Sequence, residues 1–222
     1  MRDVRRQFEE RVSEIDKYFG LLENIMIHQA QLVLPSGEKI NEDKDLNKIL
    51  RANAFILLYN LVESSISQAI EAIHLDIVKA GLGYNKIKEN IQKEIIDHVK
   101  KSIKTDDFIA KGNKIDVDIV AFYPPKNKLF SGNVDARQIK DFANRYGFSH
   151  STNPLKTKNG EKLVTVKGKR NDLAHGFISF QDCGKDFSIE DIIETKIEVV
   201  EYVSQILDNI EEYLKLKKYA VN

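Results

Sequence analysis

The stretch from Arg170 to Gly176 combines two residue types that can carry out acid–base chemistry on a phosphate. Arg170 precedes His175 by five positions, and Asn171 directly follows the arginine. A guanidinium presents a rigid fork of N–H donors that matches phosphate oxygens. An imidazole can accept or release a proton near neutral pH. The stretch therefore predicts a site that holds a phosphate and moves protons around it.

The spacing of this arginine and histidine is a weak signal by itself, because the chain is rich in charged residues. A second interpretation needs no chemistry. A histidine in the last turn of a helix interacts favourably with the final carbonyl groups, and Gly176 is suited to end that helix. The residues around the motif must decide between the two interpretations.

RNA is the substrate that suits such a pair without a metal or a cofactor, because its own 2′-hydroxyl is the nucleophile. His175 would act as general acid and base, a role that typically contributes about 10²–10⁴-fold. Arg170 would hold the scissile phosphate and stabilise its growing charge. Asn171 would orient the histidine or the substrate. The expected products are a 2′,3′-cyclic phosphate and a 5′-hydroxyl end.

Helix geometry adds an expectation about assembly. Positions five apart on an ideal helix differ by about 140° in direction and about 7.5 Å in height. Arg170 and His175 of one chain therefore do not converge easily on one phosphate. A two-fold axis can bring the arginine of one copy near the histidine of the other, so we expect a composite site in a homodimer.

Several cations and aromatic residues flank the motif. Lys167 and Lys169 are candidate substrate-binding residues within a basic run that contacts to a phosphate backbone would explain, and a solvated loop explains equally well. The cations of the run are Lys156, Lys158, Lys162, Lys167, Lys169 and Arg170, and Glu161 is its acid. Phe177, Phe180 and Phe187 can stack on bases, although aromatic residues beside a helix end more often belong to the core.

Composition indicates one folded protein without a global charge. The 222 residues are 42% hydrophobic, and 34 basic residues balance 34 acidic ones. Contact with a nucleic acid must therefore be local. The lone Cys183 excludes an internal disulfide, and the scattered histidines lack the spacing of a zinc site. Neither a signal peptide nor a membrane span is indicated, and we expect a cytoplasmic protein.

The apolar periodicity predicts an all-α protein. Helices are expected at about 4–32, 46–80, 87–103 and 136–146, then after Gly160 and again after Ser188. The second is apolar nearly all round, which is typical of a central helix. The last begins with a capping box, Ser188 to Asp191, and presents a stripe formed by Ile193, Ile197, Val200, Val203, Ile206, Ile210 and Leu214.

A polar strip interrupts the second helix, and it faces either a site or solvent. The strip comprises Asn60, Glu63, Ser64, Ser67 and Glu71. Residues 105–132 lack a clear period, and Ile115 to Tyr123 is a candidate strand. We therefore expect a single domain, 1–222, built as a bundle of four main helices. A partly irregular insertion at about 105–160 precedes the motif helix.

These residues resemble the HEPN superfamily. Its signature is an arginine and a histidine separated by four to six residues, the first of which is polar. The chain is similar to its subfamily of nucleases named after cyanobacterial locus tags. That similarity includes Arg170 to Gly176, Ser179-Phe180, the Tyr-Leu-Lys that begins at Tyr213, and Phe130-Ser131-Gly132-Asn133-Val134-Asp135-Ala136-Arg137.

The resemblance implies a metal-independent endoribonuclease, often a symmetric dimer, from toxin–antitoxin, abortive-infection or restriction-linked defence loci. Arg170, Asn171 and His175 are its expected catalytic residues, and an antitoxin or other defence protein is a possible partner. Glu63 is a further candidate for the site, against an ordinary exposed glutamate. Two alternatives stay open: a non-catalytic nucleotide- or RNA-binding regulatory subunit, and a helical interaction protein.

Overall fold

The computed structural model describes residues 1–31, 33–39, 43–102 and 132–221. Helices dominate these residues, and no strand longer than an isolated bridge occurs among them. The all-α prediction is confirmed. The helices are α1 (Arg2–Met26), α2 (Lys44–Lys79), α3 (Glu89–Ser102), α4 (Ala136–Tyr146), α5 (Pro154–Thr157), α6 (Glu161–Ala174), α7 (Phe180–Lys185) and α8 (Ile189–Lys215). Short 3-10 turns lie at Tyr84–Lys86 and Lys158–Gly160.

Helix α2 is the centre of the bundle, as its nearly all-round apolar pattern predicts. Its 36 residues span about 54 Å at 1.5 Å each. It packs against α1, α6, α7 and α8. The carboxylate of Asp43 accepts the N–H groups of Asp45 and Leu46 at its start. Beyond its end, Gly81 has a φ of +61°, the left-handed conformation in which glycine often ends a helix.

Helix α1 is shorter than predicted, because it ends at Met26 and not near Leu32. The periodicity shows only where apolar residues recur, whereas the hydrogen bonds decide the end. The N–H of His28 donates to Glu23 O at 3.1 Å, which lies one residue farther back than a helix requires. Gln29 then has a φ of +52° and turns the chain away.

The face of α8 differs from the predicted stripe. The capping box is confirmed: Ser188 and Asp191 bond each other's backbone N–H groups. However, Ile197 is 59% exposed, while Ile192 and Val199 are fully buried. The apolar pattern misplaced the face because Thr195, Glu198 and Tyr202 are also buried. Those residues are polar or amphipathic and were not counted as core.

Two short helices were not predicted. The segment before Gly160, at the end of the predicted irregular insertion, contains α5 and a 3-10 turn. Helix α7 follows the motif and lies directly against α2. A Cβ on Gly184 would be 1.9 Å from the carbonyl oxygen of Lys48, so this contact admits only glycine. A six-residue helix is too short for apolar periodicity to reveal.

Helix α4 forms where its caps predict. The Asp135 side chain accepts the N–H groups of Arg137 and Gln138, and Gly147 ends the helix with a φ of +84°. Helix α3 packs against α4. Ile103, the candidate strand Ile115 to Tyr123 and the first part of the predicted insertion, 105–131, lie outside the described residues. In the described part of the chain, no helix is both long enough and apolar enough to cross a membrane.

Candidate active site

The guanidinium of Arg170 is held by groups from three parts of the chain. Its Nη1 donates to Asn171 Oδ1 at 2.9 Å and lies 3.5 Å from the carbonyl oxygen of Gly132. Its Cζ is 4.4 Å from the centroid of the Tyr59 ring, within the range of a cation–π contact. An arginine has five N–H donors. Nη2 and Nε have no partner among the described residues, so they can bind an oxyanion.

The Asn171 amide bonds Arg170 and does not contact the histidine. Its oxygen accepts from Arg170, while its Nδ2 donates to Asn133 Oδ1 at 3.2 Å. The predicted alternatives for Asn171 were orientation of His175 or of the substrate. The observed contacts give it a third role, because they link the motif helix to the segment that enters α4.

Tyr59 connects the arginine with Glu63. Its hydroxyl donates to Glu63 Oε1 at 3.3 Å and accepts the N–H of Val134 at 3.2 Å. Burial raises the pKa of Tyr59 to about 12, so the phenol remains protonated. Glu63 therefore lies beside the site through Tyr59, and in the described structure it has no direct bond to Arg170.

The two candidate substrate-binding lysines differ in what they contact. Lys167 Nζ is 2.5 Å from the carboxylate of Asp135, a residue only 3% exposed that also caps α4. Its charge therefore joins α6 to α4. Lys169 has its ammonium 5.4 Å from the ring of Phe187, which in turn stacks edge-on against Phe55. The predicted phosphate contacts of both lysines stay predictions.

The other cations of the basic run point away from the motif. Lys156 pairs with Glu201 at 3.3 Å, and Lys162 pairs with Glu194 at 3.1 Å. Both acids belong to α8. The run is therefore divided between α8 and the Arg170 region, and only its second half adjoins the motif.

His175 ends α6 in an open environment. The N–H of Phe177 donates to Asp172 O at 2.8 Å and that of Gly176 to Leu173 O at 3.2 Å, with Gly176 at a φ of +70°. These bonds form the Schellman motif that often ends helices. The predicted stop at Gly176 is therefore confirmed. The imidazole is exposed, and its nearest ring contact is Phe177 at 5.6 Å.

The three phenylalanines near the motif divide between the two predicted roles. Phe187 packs against the core, whereas Phe177 is 79% exposed and Phe180 is 39% exposed. The core interpretation is wrong for Phe177, because the chain reverses at Gly176 and carries the next side chain outward. An exposed aromatic ring beside the imidazole is available to stack on a base.

Arg170 and His175 do not meet within one chain. In the described structure no hydrogen bond or ring contact joins them, and the guanidinium faces α2 while the imidazole is at the exposed helix end. A family model described as HEPN_MAE_28990/-like HEPN matches residues 2–219. The chain belongs to this HEPN family. No curated protein and no solved structure matches it.

Membership in the HEPN family indicates a nuclease or a nucleotide-binding protein in general terms. Several residues that contribute to this HEPN site are not predicted from the sequence. Tyr59 is not among the residues that the sequence singles out on the second helix, and Gly132 and Asn133 enter only through the resemblance. Local sequence patterns do not show that positions 59, 132 and 170 lie close together in space. Among the described residues, no three His, Cys, Asp or Glu side chains are grouped as metal ligands.

Proposed function

We propose that this HEPN protein is a metal-independent endoribonuclease whose site is shared between two copies of the chain. The observation that carries the proposal is the arrangement along α6. Arg170 is fixed on Tyr59 with two nitrogens left for an oxyanion, and His175 is exposed beyond it. One helix thus presents a placed cation and an accessible acid–base group that have no contact with each other in the described structure, and a second copy would bring the two kinds of group to one phosphate.

The reaction follows from the chemistry of the two groups. The imidazole of His175 from one copy removes the proton of the ribose 2′-hydroxyl, and the oxygen attacks the adjacent phosphorus. The guanidinium of Arg170 from the other copy binds the non-bridging oxygens and stabilises their increased charge. The bond to the 5′-oxygen breaks, and that oxygen takes a proton from the imidazolium of His175 or from water. A 2′,3′-cyclic phosphate and a 5′-hydroxyl remain.

Asn171 and Tyr59 act on the arginine and not on the substrate. The amide oxygen fixes Nη1, and the ring supports the face of the guanidinium. A guanidinium held by neighbours loses less freedom when it binds a phosphate, which is the benefit of preorganisation. Phe177 offers a stacking surface for a base next to the scissile linkage.

The experiment is digestion of single-stranded RNA by purified protein in the presence of a chelator, with analysis of the new ends. We expect cyclic phosphate ends from the wild-type protein and none from Arg170→Lys or His175→Ala. Arg170→Lys keeps a positive charge but lacks the planar fork. Products with 3′-hydroxyl ends, or cleavage that requires magnesium, would contradict the proposed chemistry.

Mixing two inactive variants tests the shared site. In a statistical mixture of Arg170→Lys and His175→Ala subunits, about half of the dimers are mixed, and each has one intact composite site of two. About a quarter of the wild-type rate should return. A mixture as inactive as its components would contradict the shared site, provided that subunit exchange is shown with differently tagged copies.

We further propose that the activity serves as a toxin or an antiviral effector held in check by a partner protein. This extends from the resemblance to HEPN proteins of such loci. Induced expression should arrest bacterial growth for the wild-type chain and not for His175→Ala at equal protein level. If His175→Ala is equally toxic, or if pure protein binds RNA without cleaving it, the non-catalytic binding role is the better description.

A further inference from the structure

A cleft of about 390 Å³ opens beside the start of α4. Its lining combines a lysine, a histidine, hydroxyls and an amide, and none of the residues that line it in the described structure carries a carboxylate. The lining residues are Ala136, Lys140, His150, Ser151, Thr152, Asn159 and Tyr202. Because the lysine is charged and the hydroxyls, amide and imidazole can each donate as well as accept, the cleft can hold an anion.

Tyr202 contributes a hydroxyl to this cleft. The residue is only 3% exposed, and its hydroxyl has no hydrogen-bond partner among the described residues. That oxygen is not one of the fully buried unpaired atoms of the described residues, so it reaches the cleft and can bond solvent or a ligand. Burial, and then the charge of Asp135, raise the pKa of Tyr202 to about 12. The phenol therefore keeps its proton at neutral pH and can donate it to an anion.

The Tyr202 ring is fixed by the backbone beside it. A Cβ on Gly160 would be 2.8 Å from Tyr202 Cε2 and 2.6 Å from the Cβ of Ala136. Gly160 also has a φ of +80°, which glycine adopts readily. The glycine thus lets the ring lie close to the start of α4, with its hydroxyl at the cleft.

The remaining donors of the cleft are also uncommitted. Lys140, His150 and Asn159 have no hydrogen bond or ion pair within the described part of the chain. Thr152 differs: it bonds Thr157, whose own hydroxyl donates to Asn153 O. The nearest acid on this helix start, Asp135, already binds Lys167. Apart from Thr152, five polar side chains of the cleft therefore have no partner in the described structure.

The cleft lies close to the arginine of the motif. Gly132 contacts the Arg170 guanidinium, and Ala136 lines the cleft four residues later. Four residues span at most about 14 Å. At the axial rise of one strand in a duplex, about 3.4 Å per nucleotide, this corresponds to about four nucleotides, and a more extended single strand covers it in fewer.

We propose that this cleft binds a second backbone phosphate of the RNA, up to about four nucleotides from the phosphate that Arg170 holds. Lys140 and His150 supply the charged and ring donors, and Tyr202 supplies the hydroxyl that borders the cleft. The inference rests on the proposed function. It adds that the substrate is a strand long enough to reach both places, and that its contact there does not read the bases.

The first test measures binding of single-stranded RNA in the non-cleaving His175→Ala background. Lys140→Gln should reduce the magnitude of the slope of log K against log salt by about 0.7, the value for one lost phosphate contact. Relative to its effect at 1 M salt, the variant should therefore weaken the RNA binding constant about fivefold more at 0.1 M salt. The matched control, Lys17→Gln, removes an exposed lysine of α1 and should change neither quantity. Equal effects of the two variants would overturn the proposal.

Substrate length gives a second arm in the otherwise wild-type protein. A dinucleotide has one phosphate and cannot reach the cleft, whereas an octanucleotide can. Lys140→Gln and Tyr202→Phe should raise KM for the octanucleotide and leave kcat/KM for the dinucleotide unchanged. Tyr202→Phe removes only one oxygen, so a folding defect is not expected. A loss that is equal for both lengths would overturn the proposal.

Inorganic phosphate separates this proposal from the proposed function. The ring signals of His150 should move when phosphate is added to the full chain, and the response should weaken in Lys140→Gln. An unmoved His150 in a protein that cleaves RNA would overturn the cleft alone. A moved His150 in a protein that neither binds nor cleaves RNA would overturn RNA as the ligand and also the proposed function.

Discussion

Arg170 and His175 belong to the same helix, yet their surroundings differ in almost every respect. The arginine contacts Tyr59 and Asn171 and lies at the edge of the core. The histidine is exposed, and a tilted contact with Phe177 is its nearest neighbouring ring. A group that stabilises charge must be placed before the reaction, whereas a group that moves protons must be accessible. Helix α6 therefore meets the two needs at different points along its length.

The largest expected effect separates activity from stability at these two positions. His175→Ala should lower the cleavage rate about 10²–10⁴-fold and leave the free energy of unfolding within about 0.5 kcal/mol, because the side chain is exposed. Arg170→Ala should also abolish cleavage and in addition lower the free energy of unfolding by about 1–2 kcal/mol. Urea denaturation followed by circular dichroism, with parallel RNA cleavage assays, measures both. Equal stability losses would contradict the comparison.

Two left-handed glycines provide a matched pair for the same contrast. A Cβ on Gly132 would lie 2.8 Å from Arg170 Nη1, while a Cβ on Gly176 would have nothing within 4 Å. Each alanine variant should lose about 1–2 kcal/mol of stability from its positive φ. Only Gly132→Ala should also displace the guanidinium and lower cleavage about 10²-fold, the effect of a 1 Å misplacement.

The two glycine variants need a stability control, and one outcome would contradict the prediction. Thermal unfolding of both variants checks that their stability losses are comparable, so that the rates can be compared. If Gly176→Ala reduced cleavage as much as Gly132→Ala, the open end of α6 would need the same precise placement as the arginine. The contrast between the two ends would then be wrong.

The ring of Tyr59 should matter more than its hydroxyl. Tyr59→Phe keeps the surface beneath the guanidinium and removes the bonds to Glu63 and the Val134 N–H. We expect a loss of about 1 kcal/mol in unfolding free energy and nearly normal cleavage. Tyr59→Leu should weaken cleavage further, because the cation–π contact is lost. Cleavage that falls equally in both variants would assign the role to the hydroxyl.

The smallest expected effect is on the pH dependence of stability, through the ion pair of Asp135 with Lys167 between α4 and α6. Burial opposes the charge of Asp135, but the hydrogen bond from Lys167 and those from the backbone of Gln138 and Arg137 outweigh it and lower the pKa of the carboxyl. The stability that this provides is present above the ordinary aspartate pKa and is lost as pH falls through the lowered value.

Asp135→Asn should therefore flatten the acid limb of the stability curve relative to the wild-type protein. The measurement is the urea midpoint at a series of pH values from neutral to about 3, near the ordinary aspartate pKa. Asp141→Asn, on the exposed side of α4, is the control and should leave the acid limb unchanged. An unchanged slope in Asp135→Asn would show that the pair with Lys167 adds nothing to folding.

The sequence predicts elements that depend on local patterns. The centre of the bundle follows from the apolar character of α2. The ends of α4 follow from Asp135 and Gly147, and the stop of α6 follows from Gly176. In each case one residue type has a conformational preference that the structure uses.

Other elements depend on contacts between distant positions, and no local pattern contains them. The support of Arg170 by Tyr59 joins positions 111 apart. The true face of α8 includes Tyr202, whose hydroxyl borders the cleft beside α4. A count of apolar residues cannot distinguish a tyrosine that fills the core from one that offers a donor.

The contact between Gly184 and Lys48 has a consequence for any survey of variants of this chain. The backbones of α7 and α2 touch there without room for one methyl group. A library that samples all twenty amino acids at position 184 should retain glycine and lose every alternative, even though this helix carries none of the groups assigned to RNA. Such intolerance at a position remote from the chemistry would report how closely two chain segments approach, and so should not be taken as a sign of catalysis.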